Sequence, residues 1–397
     1  MDLHGSTLTE NVDFSNAYIE KINIRNANIK YVTFDHATIR EAVFEDVTFM
    51  QEASFKGTEF EEAALFSRSV FIKDAHFRSV KFVKVTNFSN AKFKQYADFA
   101  GTSDNHSKFG TRADFQGVKF LNGANFCFSE FHSNDFRYAT FADYINFKNV
   151  DFFQRAEFIQ IRKSDDSKKK LEIEFSGHLH KGGLFEARDA ETKLILSSTE
   201  FVEDTSFKGP FLIDSCSKTT FNKGATFRHC ANVALNNTRL GSHSSFEHII
   251  GDIRCTDVDF GGVDFRNCIN VALNNTRLGA YSRFEGIFCG IQCTDVDFVG
   301  CADFKGVSGT FDPVEHLKFN DVRFNSDNKE GVQFREYWTL VNGLPKGAQW
   351  VRYDRDGNPL PSLPAKQIQE SSNNLTQENT FTQVNPGSDN DNWATPR

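Results

Sequence analysis

Methionine and tryptophan are scarce in this chain, at two and three in 397 residues, and proline is held to eight. No run of about 18 apolar residues occurs, which leaves no candidate for a membrane-spanning helix. The eight cysteines, at 127, 216, 230, 255, 268, 289, 293 and 301, are too spread for a dense disulfide framework. They read as reduced thiols of a cytosolic protein. Basic charge is not in excess: the net charge is −8. That argues against nucleic acid or an anionic membrane as a direct partner of the chain as a whole, while a local basic patch stays open. Met1-Asp2-Leu3-His4-Gly5 enters patterned sequence directly, without a basic and apolar leader, so Sec-directed export is not expected and a signal-less route stays open. Phosphate loop, GxSxG elbow, HExxH and dinucleotide fingerprint are all missing. With most Asp and Glu at outward repeat positions, no enzyme activity and no cofactor is expected.

What is abundant is phenylalanine, 44 in all. In ADFQGVKFLNGANFCFSEF it falls at Phe115, Phe120, Phe126 and Phe131, each preceded two places earlier by Ala113, Val118, Ala124 or Ser129. A large apolar residue recurs every five, with occasional sixes, from Leu3 to Phe158; Leu65 serves as one rung and Asp104 as a weak one. The regular part runs through Phe99, Phe115, Phe120, Phe126, Phe131, Phe136, Phe141, Phe147, Phe152 and Phe158. A helix would need spacings of three and four, and a plain strand strict alternation. Residues two apart in extended chain face the same way, so each unit offers one small and one large inward residue. The chain must then turn, and Gly, Asn, Asp and Ser after the large residue suit turns. Such a chain coils upon itself as a solenoid stabilised by nearest-neighbour stacking. Each buried Phe contributes roughly 2–3 kcal/mol by area transfer. About 15 coils at roughly 4.8 Å would make a rod near 70 Å long.

The units Ala97-Asp98-Phe99, Ala113-Asp114-Phe115, Ala124-Asn125-Phe126 and Ala302-Asp303-Phe304 resemble those of the pentapeptide-repeat proteins. The resemblance is tight over 1–158 and loose over 199–326. It implies an all-β fold: a right-handed, four-sided (quadrilateral) parallel β-helix with about four units per coil.

Five segments are expected. Residues 1–158 form the N-terminal part of the β-helix. Residues 159–198 depart from the ladder and read as an inserted loop or hairpin, with the charged run Lys163–Lys170 and strand-like stretches Leu171–Phe175 and Lys193–Leu196. Residues 199–326 resume the ladder and contain a duplication: CANVALNNTRLG from Cys230 recurs as CINVALNNTRLG from Cys268, dividing 230–267 from 268–306. The offset of 38 (268 minus 230) is a little short of two coils of the family type. Cys255 and Cys293 occupy rung positions and read as small core residues. Residues 327–358 read as a capping helix over 327–344, placed by Val332, Phe334, Trp338, Val341 and Leu344, then a hairpin turning at Asp356-Gly357. Residues 359–397 read as a disordered tail.

The candidate partner-contact loop comprises Lys163, Asp165, Lys169, His178 and His180, because loops projecting from a regular rod carry specificity. His178 and His180 could face one metal, and Cys289, Cys293 and Cys301 could contribute to a zinc site, but neither set has a complete ligand pattern. No metal is therefore assigned. The leading expectation is a non-catalytic binding rod or scaffold for a protein partner, cytoplasmic and bacterial, with a homodimer contact through the C-terminal helix as a sharper variant. Two alternatives follow from the resemblance: a DNA mimic acting on a type II topoisomerase, and a bacterial effector delivered into host cells. Mimicry needs dense acidity, yet residues 1–158 hold 21 acidic against 18 basic residues.

Overall fold

The computed structural model describes residues 1–165, 170–188, 192–279, 281–307, 317–335 and 338–354, together with 356 and 358–360. Lys169 and the expected tail beyond Leu360 lie outside the described residues. The chain divides into two units, Met1–Trp350 and Val351–Arg397. The first is an all-β parallel solenoid of about 14 turns, with almost no helix among the described residues. In the second, Tyr353 bridges Pro359 in antiparallel fashion, and the Asp354 carboxylate accepts the amides of Asp356 and Asn358.

One turn shows how the pentad builds the coil. Its four inward pairs are Ala91 and Phe93, Ala97 and Phe99, Ser107 and Phe109, and Ala113 and Phe115, all buried. These define the first, second, third and fourth sides. The next turn sets Phe120 on Phe93 at 5.0 Å, Phe126 on Phe99 at 4.9 Å, Phe131 on Phe109 at 4.3 Å and Phe136 on Phe115 at 4.8 Å. These separations match the interstrand spacing of a sheet, so backbone ladder and ring stack advance together. Phe141, Phe147, Phe152 and Phe158 are equally buried.

The Asp or Asn before the large residue makes the corner. Asp114 accepts the Gln116 amide at 3.0 Å, Asn125 that of Cys127 at 3.1 Å, and Asn146 that of Lys148 at 2.9 Å. Each is an Asx turn, which a short side-chain oxygen forms with the amide two residues on. The residue after that amide's owner is often left-handed: Asn26, Asp46, Arg68, Asn90, Gly117, Tyr138 and Gln160 form one such corner column. Phe128 occupies another corner at φ 56°, which explains a phenylalanine outside the ladder.

The structure corrects four expectations. Phe66, not Leu65, is the rung: its ring stacks between Phe44 and Phe88 at 4.7 Å on each side, while Leu65 is only half-buried. Asp104 is no rung but an exposed residue in the 101–106 excursion, which lengthens the turn running from Phe82 to its register partner Phe109. Residues 159–198 are not an inserted loop or hairpin. Leu171–Leu179 pairs in parallel with Tyr144–Phe152 below and with Thr192–Phe201 above, and Phe185 stacks between Phe158 and Phe207. The ladder is therefore continuous there; it was obscured because Leu179 and Leu196 replace Phe, while Ile173 and Leu194 fill positions held by Ala in earlier turns. Finally, the capping helix over 327–344 does not form among the described residues. Ser326–Gly331 is a 3-10 helix interrupted at Asn328, and Val332–Gln333 is a strand pairing Ala302 and Asp303. Gly331 and the non-helical Asn328 break the run. The spacing of Phe334 and Trp338 instead serves stacking: Phe334 lies on Phe304 at 5.3 Å, with Trp338 5.5 Å from Phe334.

In the duplicated region the turn shortens: Phe227, Phe246 and Phe265 stack in succession, one per turn. Two such steps, from 227 to 265, span the whole offset of the duplication, so the repeat is two complete turns. Truncating a stacked ring should leave a cavity that neighbours above and below cannot fill. Phe126→Ala is expected to cost about 3–5 kcal/mol in urea unfolding, against less than about 1 kcal/mol for Phe128→Ala at the corner.

Candidate functional site

Because rings fill the interior, side chains able to meet a partner stand outside, in columns set by the strand register. In the duplicated half these columns alternate in sign. On the third side Arg239, Asp259, Arg277, Asp297 and Arg323 lie directly above one another. Arg323 pairs with Asp297 and reaches Asp295 at 2.6 Å. Its guanidinium is held above its ordinary range, first by the Asp297 hydrogen bond and against the opposing pull of burial. On the fourth side Arg228, Glu247, Arg266 and Glu285 follow the same rule, with Arg228 and Glu247 in contact.

The core alternates too. On the second side Leu196, Cys216, Leu235, Cys255, Leu273 and Cys293 succeed each other. On the third, Leu240, Phe260, Leu278 and Phe298 do. A small residue on one side is matched by a larger one on another side of the same turn, which keeps the turn's volume constant.

These are repeats of one short motif, and the family comparison agrees: the model for pentapeptide repeats, in eight copies, matches residues 10–46. That segment of the chain is built of pentapeptide repeats. No curated protein and no solved structure matches it.

The solenoid framework separates the candidate contact residues. Lys163 and Asp165 belong to the first side, since Phe141 pairs with Lys163. His178 and His180 stand on the third, opposite side, flanking the rung Leu179. They do not form one projecting loop, and Lys169 lies outside the described residues. His178 sets Nδ1 2.9 Å from Asp151 and Nε2 3.8 Å from Glu200, while His180 stacks on Phe153 at 5.0 Å. Phe153 in turn lies 4.8 Å from His132, giving an outer aromatic column that sequence spacing did not reveal. Among the described residues no group of three His, Cys, Asp or Glu is arranged to hold a metal.

The three cysteines weighed for a zinc site are likewise apart in environment: Cys289 is exposed, Cys293 is in the core and Cys301 is half-buried. Burial pushes the Cys216 and Cys230 thiols up to about 12 and that of Cys268 to about 11. At the C-terminal end of the solenoid an open cleft of ≈ 990 Å³ lies among Leu317, Phe319, Trp338, Leu344 and Trp350.

Two outcomes follow. A thiol reagent at pH 8 should label Cys289 quickly and Cys216, Cys230, Cys255, Cys268 and Cys293 only after unfolding. Since the folded thiols are raised, their contribution to stability is whole below the unfolded thiol range, near 8.5, and fades as pH climbs toward about 12. Second, Asp259→Lys would set three cations in line and should cost about 1–2 kcal/mol in thermal melting. The loss should shrink in about 1 M salt, where screening reaches ~3 Å.

Proposed function

We propose that this solenoid protein is a non-catalytic scaffold whose third and fourth sides dock a protein partner. One observation carries the reading. The interior is filled by packed Phe, Leu, Ile and Cys side chains, so the chemically distinctive groups of the duplicated half are outward columns of alternating charge. Such a surface discriminates between partners by the order of its signs, since mismatched charges repel. A catalytic group would need a water-excluding pocket, and the columns stand on open strands instead. The DNA-mimic reading is less favoured, because cations alternate with the acids rather than leaving a dense anionic surface. Delivery into a host cell is an expectation from the resemblance, and a cytoplasmic home one from the spread of the cysteines.

The test is affinity capture with the intact chain and with a variant whose fourth-side column is inverted: Arg228→Glu, Glu247→Arg, Arg266→Glu and Glu285→Arg together. Inversion keeps the opposite-sign neighbours within the column and reverses what a partner meets. The intact chain should retain a protein at near-equal stoichiometry, and the inverted variant should lose it while melting within a few degrees of the parent. Equal capture by both, or capture by neither, sinks the proposal.

A further inference from the structure

Between Lys30 and Arg162 the first side of the solenoid carries a run of unpaired cations. Lys30, Lys73, Lys92, Lys94, Lys119 and Arg162 point outward along it, all exposed except the half-buried Lys92. None of the six takes part in an ion pair or side-chain hydrogen bond with a described residue. From Asn28 to Thr140 the strands of this side bear no carboxylate. The acids just past its edge are engaged elsewhere: Glu52 lies 3.9 Å from His76, and Asp74 accepts the Tyr96 amide. Asp143, beyond the last of these strands, also has a partner. Lys92 and Lys119 are direct register partners, one strand spacing apart. The third side also juxtaposes two lysines, Lys81 and Lys108, but there Glu59 and Glu130 neutralise them. Like charges left adjacent without an acid are destabilising, so an external anion is the natural counterpart.

Apolar side chains share the same side. Val70, Ile72 and Leu121 are half-buried between the lysines. Farther along, Ile250 is 62% exposed and Phe288 57% exposed, two turns apart at equivalent positions of the duplication. Both follow inward residues of the first side, Ile249 and Ile287, and extend past its left-handed corner residues His248 and Gly286.

We propose that this first side docks on an anionic lipid bilayer surface, the lysines meeting headgroup phosphates and Ile250 and Phe288 entering the interface. A bilayer accepts both kinds of group, as basic and apolar faces of peripheral elements do. A nucleic acid would satisfy the lysines but leave the isoleucine and phenylalanine in water. Among the described residues no helix is long and apolar enough to cross a membrane, and the contact proposed is with the bilayer surface. This side is distinct from the third and fourth sides assigned to a protein partner, so either proposal can fail alone.

The test is flotation of the full chain with vesicles of phosphatidylcholine alone or with a third of anionic phosphatidylglycerol. The protein should float only with the anionic vesicles and be released as salt rises. Lys92→Gln, Lys94→Gln and Lys119→Gln combined should weaken binding roughly 100-fold, at about five-fold per lysine. Lys81→Gln with Lys108→Gln on the opposite side should leave it unchanged. An Ile250→Trp reporter, which does not depend on the lysine variants folding, should shift its emission to the blue on anionic vesicles. The proposal is overturned if the protein does not float, if the triple variant binds like the parent, if the tryptophan emission stays put, or if only duplex DNA, offered in parallel, is retained.

Discussion

Everything in this molecule depends on rings stacked at the spacing of β-strands. On the fourth side, Phe44, Phe66, Phe88, Phe115, Phe136, Phe158, Phe185, Phe207, Phe227, Phe246, Phe265, Phe284, Phe304 and Phe334 form an unbroken column. Adjacent centroids are 4.6–5.4 Å apart. Parallel strands come about 4.8 Å apart because that is what the backbone hydrogen bond requires, and offset ring stacking is favourable at the same distance. The two demands coincide, so each turn templates the next. Variation between turns must go outward into loops, as at 101–106, or be absorbed by exchanging residue sizes within a turn.

That exchange accounts for the unusual length of the duplication. A uniform column needs a repeat of one turn. Here leucine alternates with cysteine on the second side, leucine with phenylalanine on the third, and arginine with aspartate outside the third. All have a period of two turns, so the sequence repeats only at every second turn. Volume is conserved within each turn and opposite charges meet between turns. The same rule applied to the first side is violated at Lys92 and Lys119, and departures from local consistency of this kind mark surfaces selected for something other than stability.

The five-residue period was legible because inward side chains are few and large; Phe99 to Phe158 could be placed one by one. Legibility failed where the large residue was not Phe. From Ile161 to Leu196 aliphatic residues carry the core beside only Phe175 and Phe185, and a dense apolar stretch hides its own period, so a continuous wall looked like an insertion. At the C-terminal end Phe334 and Trp338 had helical spacing, but two aromatic residues four apart can equally close the end of a stack. The candidate contact residues failed for a related reason: Lys163 and His178 are near in sequence, yet half a turn of the coil puts them on opposite sides.

Sequence alone therefore determined the architecture: an inward residue every five positions, a small residue two before it and an Asx corner between them leave the chain little but a parallel solenoid. Which outward residues are neighbours was decided only by the tertiary structure. Turn length varies, from the short step between Phe227 and Phe246 to the long one between Phe82 and Phe109. Each added or lost residue shifts which charge lies over which. Arg239 above Thr220 and below Asp259, or Lys92 against Lys119 with no acid near, are consequences of register between turns. That register is set by packing of the whole coil.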